Sequence, residues 1–337
     1  MKCRTSLTVT LFAAVTTLVM LAGPVSAQQA RRGGLSGDWN VKTEFNGRQM
    51  ESILSFSRDQ DGNLTGQWIG FGGVSALKDL KFEEGKLSFT RVSQGRDGQS
   101  STSTFKGTIA DGKLSGTVAS ERGESTLTGA RAPRLPQAAG IWNLKTKRND
   151  QESTATLTLG VDKEGQLTGQ WKTERGELAL SDIQFAQSKL TFKAKSTNPD
   201  RAFEAAFEGT LQRGALTGTL KSERGETTVE GTRQGAALIG TWNLEVVSER
   251  GTRTQRLLVN PDLTALYGSL PIKKINLQDG AVDFLMTMQF GDQSFEMSFK
   301  GKLGEAKLTG ELTTSQGSQK VTGTKVVRTG ARRGNGG

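Results

Sequence analysis

The sequence predicts an all-β protein: three tandem small antiparallel eight-stranded up-and-down barrels behind an N-terminal export signal. Three observations predict it. A frame of apolar and glycine positions occurs three times along the 337 residues. Within each copy apolar and polar residues alternate, the period of a strand whose side chains point to opposite faces. About eight such runs per copy are divided by Asp-Gly, Glu-Gly, Gly-Lys and Arg-Gly turns, with hardly a candidate helix.

Residues 1–27 read as a secretory signal peptide. Lys2 and Arg4 supply a positive start, Leu7 to Ala22 are mostly apolar, and Val25-Ser26-Ala27 offers small residues for cleavage before Gln28. The apolar run is short and rich in Thr, and no other stretch approaches 18 apolar residues, so no membrane span is expected. The chain's one cysteine, Cys3, falls inside the signal, which leaves the mature chain without thiol chemistry or disulfides. The expected location is periplasmic or extracellular.

The repeat carries the organisation. Gly37-Asp38-Trp39-Asn40-Val41 recurs as Gly140-Ile141-Trp142-Asn143-Leu144 and Gly240-Thr241-Trp242-Asn243-Leu244. The same frame sets Leu64-Thr65-Gly66-Gln67-Trp68 against Leu167-Thr168-Gly169-Gln170-Trp171 and then Leu266-Tyr267-Gly268-Ser269-Leu270, so that Leu270 stands where the other copies have Trp. Phe105-Lys106-Gly107, Phe207-Glu208-Gly209 and Phe299-Lys300-Gly301 follow, and each copy closes on a glycine with a basic residue two places on. The modules are therefore placed at 35–131, 140–233 and 240–326, with a basic Gly-rich tail at 327–337. Ala132 to Pro136 and Gln234 to Ala237 are the joints.

The alternation assigns side chains to faces. In the second module Trp142, Leu144, Leu157, Leu159, Leu167, Trp171, Leu178, Leu180, Ile183, Phe185, Leu190, Phe192, Phe203, Phe207, Leu211, Leu216, Leu220 and Val229 point inward. The segment Phe203-Glu204-Ala205-Ala206-Phe207 has helical propensity, yet its pattern fits a strand, and pattern outranks propensity there. These side chains would largely fill a short eight-stranded barrel, which has room for side chains or one small ligand. A packed core is the first reading and a ligand cup the second, with Trp68 and Trp171 as the ligand-facing residues of a cup.

If eight strands close, the first and last become antiparallel neighbours, and the opening Trp meets the closing base. Trp39 then lies under Arg131, Trp142 under Arg233 and Trp242 under Lys325, at the barrel base. A cation over an indole contributes about 0.5 to 2 kcal/mol.

A Gly-x-Trp on the first strand with a basic residue on the last resembles the calycin barrels, the lipocalins and their relatives. With Asp61-Gly62-Asn63-Leu64-Thr65-Gly66 it is similar to the avidin type in particular. The resemblance implies barrels that hold a small apolar molecule or biotin. The tyrosine and several tryptophans that surround biotin in avidins are not visible, since the only Tyr is Tyr267. The fold is carried over and the ligand is not.

Several function classes are excluded or weakened. With no histidine, a Ser-His-Asp triad is impossible and the commonest nitrogen metal ligand is missing. No cofactor, metal site or catalytic constellation is expected. Ser120-Glu121-Arg122-Gly123-Glu124, with its relatives at 173–177 and 222–226, reads as a hairpin turn. Asp59, Asp61 and Asn63 lack the rest of a calcium loop. The net charge of +10 hints at nucleic acid, but the modules hold 12, 14 and 10 basic residues against 12, 13 and 9 acidic ones. The excess lies outside them, at Lys2, Arg4, Arg31, Arg32, Arg134, Arg328, Arg332 and Arg333. These tails are either solvated and idle or adhere, in a salt-sensitive way, to an anionic envelope polymer. The reading is an exported non-enzymatic binding or structural protein of the cell envelope. A carrier of a small apolar molecule and a carbohydrate-active hydrolase are the alternatives.

Overall fold

The computed structural model describes residues 34–326 apart from 46, 95–98, 199–202, 250 and 291–292. The expected signal peptide at 1–27 and basic tail at 327–337 lie outside the described residues. The described chain is all β, and none of its elements is a helix long and apolar enough to cross a membrane.

The first sheet is a closed antiparallel barrel of β1 (Gly37–Phe45), β2 (Arg48–Arg58), β3 (Leu64–Gly70), β4 (Gly73–Glu83), β5 (Lys86–Gln94), β6 (Ser100–Ala110), β7 (Lys113–Ser120) and β8 (Gly123–Arg131). Each strand pairs with its sequence neighbour, and β8 returns to β1 with Arg131 opposite Trp39. The second repeats it with β9 (Gly140–Arg148), β10 (Gln151–Val161), β11 (Leu167–Thr173), β12 (Gly176–Ala186), β13 (Lys189–Ser196), β14 (Glu204–Gln212), β15 (Ala215–Ser222) and β16 (Gly225–Arg233), which closes on β9.

Alternation produces these barrels. The segment of high helical propensity is strand β14, buried at every second residue from Ala205 to Leu211. Of the inward residues expected for the second module, all but Leu167 belong to its core or pack against it. The turns are local chemistry: in Ser120 to Gly123 and Ser222 to Gly225 the serine hydroxyl donates to the glycine carbonyl and accepts from the amide two residues on. Thr173 to Gly176 uses a threonine in the same way. Asp59 accepts from the amides of Asp61 and Asn63, and these bonds hold its pKa below the ordinary value. Its carboxylate ties its own loop together.

The third module departs from the expectation of a closed eight-stranded barrel. It is an open nine-stranded sheet of β17 (Gly240–Ser248), β18 (Gly251–Val259), β19 (Ala265–Tyr267), β20 (Leu270–Ile272), β21 (Asn276–Gln278), β22 (Ala281–Phe290), β23 (Gln293–Leu303), β24 (Lys307–Thr314) and β25 (Gly317–Lys325). Strands β19 to β21 have three residues each, and β20 and β21 do not pair, so the wall is open along one side. The register also corrects the repeat frame. Leu257 faces Tyr267 as Leu54 faces Trp68 and Leu157 faces Trp171, so Tyr267 and not Leu270 stands in the tryptophan position.

The reason is a neighbour. The β3–β4 hairpin of the first module, Gly70 to Gly73, lies beside β18 where a full third strand would run. Buried Gln255 donates to the Gly70 and Phe71 carbonyls at 3.1 and 2.9 Å, and Phe71 packs against the third module's core. Gly268, at φ +60°, permits the approach: a Cβ there would fall 2.5 Å from the Gly70 carbonyl oxygen. Outside the barrel wall, Arg256 donates to Asp38 Oδ1 at 3.2 Å and its other terminal nitrogen lies 3.0 Å from Oδ2. Ser55 donates to the same carboxylate, and the outward-facing Ile53 and Ile69 are buried. First and third modules thus share a desolvated seam.

Candidate functional site

Each module has a floor, a middle and an open end. The floor is built alike in all three. Trp39, Trp142 and Trp242 are fully buried, and each indole donates to the carbonyl four residues earlier: Leu35 at 3.0 Å, Ala138 at 2.9 Å and Leu238 at 2.7 Å. The guanidinium carbon of Arg131 stands 5.0 Å from the Trp39 ring centre and that of Arg233 stands 4.2 Å from Trp142, while Lys325 Nζ is 5.6 Å from Trp242. The cations also tie down the segment entering each module. Arg131 donates to Ser36, Arg233 to Gln137 and Ala139, and Lys325 to Ala237. Burial lowers the pKa of all three, with Arg134 adding to the effect on Arg131. This geometry caps one end of each module.

The middle is filled by aromatic pairs. Phe89 stacks on Phe105 at 4.9 Å, Phe192 on Phe207 at 4.6 Å and Phe284 on Phe299 at 4.8 Å. Trp68 meets Phe89 edge-on at 6.3 Å, and Trp171 meets Phe192 and Phe207 at 6.0 and 6.2 Å. Both tryptophans are buried, 5% and 2% exposed, at the upper boundary of this packed layer.

Above that layer the modules diverge, and the pairing register allows position-by-position comparison. Ser52 of the first barrel corresponds to Ala155 of the second, since they face Val41 and Leu144. Ser75, across from Trp68, corresponds to Leu178, across from Trp171. Ser103 corresponds to Ala205, and Arg91, between Leu77 and Ser103, to Ala194, between Leu180 and Ala205. In the third module the last two positions are the paired Met286 and Met297. At these positions the first interior carries hydroxyls and a guanidinium where the second carries methyls and the Leu178 side chain, while the third has its two thioethers and, facing Leu244, Gln255 in the Ser52 position.

Arg91 is held inside. Its guanidinium carbon lies 4.5 Å from the centre of the Trp68 ring, and its Nε is buried with no hydrogen-bond partner. Burial pulls its pKa down to about 10, which leaves it charged at neutral pH. Buried Thr43, on the inward face of β1, likewise has a hydroxyl without a partner. The site thus pairs an expected residue, Trp68, with one that the sequence reading passed over. The signal for Arg91 was present in the repeat, as the one charged residue in an inward column otherwise holding Ala194 and Met286. Trp171 has Leu157 and Leu178 as its strand partners and meets Phe192 and Phe207 edge-on.

No protein-family profile matches this chain, and no curated protein matches it. Among solved structures, a Bacteroides fragilis protein assigned provisionally to the outer membrane is 13% identical, with a TM-score of 0.28, over 60% of this chain and 98% of its own. A Nostoc punctiforme protein of unknown function from the DUF3598 family is 13% identical, with a TM-score of 0.22, over 87% of this chain and 96% of its own. Transferrin Binding Protein B from Haemophilus parasuis is 11% identical, with a TM-score of 0.19, over 86% of this chain and 74% of its own.

Proposed function

We propose that this chain is an exported, non-enzymatic binding protein of the cell envelope, built from calycin-like modules, in which the first module carries the ligand site. In this reading the third module is a clamp that embraces the β3–β4 hairpin of the first. The observation that carries the proposal is the hydroxyl lining above Trp68. Ser52, Ser75 and Ser103 stand where the second barrel has Ala155, Leu178 and Ala205. Polar side chains directed into a barrel are unfavourable unless something hydrogen-bonds to them. A small solute entering from the open end answers that need, while the capped floor and the aromatic layer limit its depth.

Native mass spectrometry of protein purified from its own host tests the reading. The expected result is one small molecule per chain, lost when Ser52 and Ser103 are both replaced by alanine as in the second barrel. Three molecules per chain, or retention by that double variant, would overturn the assignment to the first module.

A further inference from the structure

We infer that the first module binds an organic monocarboxylate, its carboxylate held on the guanidinium of Arg91. This rests on the ligand reading above and specifies its chemistry. The inference starts from a charge without a counter-charge among the described residues. Arg91 sits on the inward face of β5 with Leu77 and Ser103 as its strand neighbours, and it forms no ion pair among the described residues. The acidic residues described on the surrounding strands, Glu44, Glu51, Asp79, Glu83 and Glu124, are exposed, while Asp38 is engaged with Arg256. A half-buried cation in this position costs free energy that an anion would offset.

The partner's form follows from the surroundings. Trp68 covers one face of the guanidinium, so an incoming anion meets its edge, where the planar fork matches the two oxygens of a carboxylate. One cation among neutral hydroxyls neutralises one negative charge; a dianion would bring a second one into the same low-dielectric space. The unpartnered Thr43 hydroxyl and the Ser52 and Ser103 hydroxyls are donors available to the rest of the head group. Beneath them Phe89 and Phe105 block further entry, so the organic part points toward the open end. The siblings have Ala194 and Met286 at the equivalent positions, and the third module's inward Arg253 already donates to Tyr267 and Gln319.

Hexanoate and its uncharged counterpart hexanamide, titrated calorimetrically into the mature full-length chain, separate the possibilities without any mutation. The expected result is saturable one-to-one binding of hexanoate, with hexanamide weaker by about tenfold or more, the loss of a charge-assisted bidentate contact. Arg91→Met, which installs the third module's residue, should abolish hexanoate binding while melting no lower than the wild type, because it removes an uncompensated charge. Equal binding of acid and amide, or hexanoate binding unchanged in Arg91→Met, overturns the anion assignment and leaves a neutral-ligand cup standing. Binding of neither solute overturns both.

Discussion

At the scale of single residues, the floor of each module is the most repeated feature and the easiest to test. Trp142→Ala should destabilise the second barrel by about 3–5 kcal/mol, as for other buried large aromatics. Arg233→Ala should cost less when Trp142 is already absent, because the cation packs on that ring at 4.2 Å. Chemical denaturation of the four proteins of that cycle would measure the coupling, and additive costs would remove the contact. The paired glycines make a second test. Gly209 faces Gly218 under the Phe207 ring, and a Cβ on Gly209 would fall 2.5 Å from the ring and 2.7 Å from the Thr217 carbonyl oxygen. Gly209→Ala should therefore destabilise by about 3 kcal/mol, at the upper end of overpacking costs. Trp142 and Gly209 were legible in the sequence because they recur at fixed spacing. Arg91 does not recur, so the aligned inward column marks it as the odd residue, but its meaning lies in what surrounds it.

At the scale of elements, strands β4 and β12 show how local geometry is conserved between modules. Both slip register against the next strand, between Lys78 and Lys81 and between Ser181 and Gln184. Each bulge holds an aspartate at positive φ, Asp79 at 51° and Asp182 at 53°. An aspartate tolerates that conformation where a branched residue does not. Asp79→Gly should leave the thermal midpoint of the first barrel nearly unchanged, and Asp79→Val should lower its stability by about 1–2 kcal/mol. Bulges of this kind bend and tighten the wall. The turn glycines and period-two strands around them were readable in advance, but the extra residue was not, because the alternation merely looks imperfect there.

At the scale of the whole molecule, the seam between first and last modules makes them stability partners. Phe71 crosses from one into the core of the other, and the Asp38–Arg256 pair lies in the same contact. Phe71→Ala should lower the unfolding midpoint of the third module although the substitution lies in the first. Trp242 and Tyr267 are buried in that third core, and hydrogen exchange of the β17 and β18 backbone amides around them reports on it. Arg256→Met should cost roughly 2–4 kcal/mol by leaving Asp38 without its cation in a largely dry contact. If exchange in the third core is unchanged in both variants, the modules are independent and the seam is incidental.

The amino-acid order by itself determined the threefold repeat, the strand period, the inward faces and the meeting of opening Trp with closing base, because each is written in spacings of a few residues or in a recurring frame. Only the tertiary structure decided that the third wall stays open, that Tyr267 takes the tryptophan's place, and that Arg91 lies against Trp68 without a carboxylate among the described residues. Those facts depend on residues far apart in the chain: Phe71 with Gln255, Asp38 with Arg256, and Arg91 with the residues that replace it in the other two modules. Strand alternation specifies which way a side chain points, whereas the packing of one module against another specifies what it meets there.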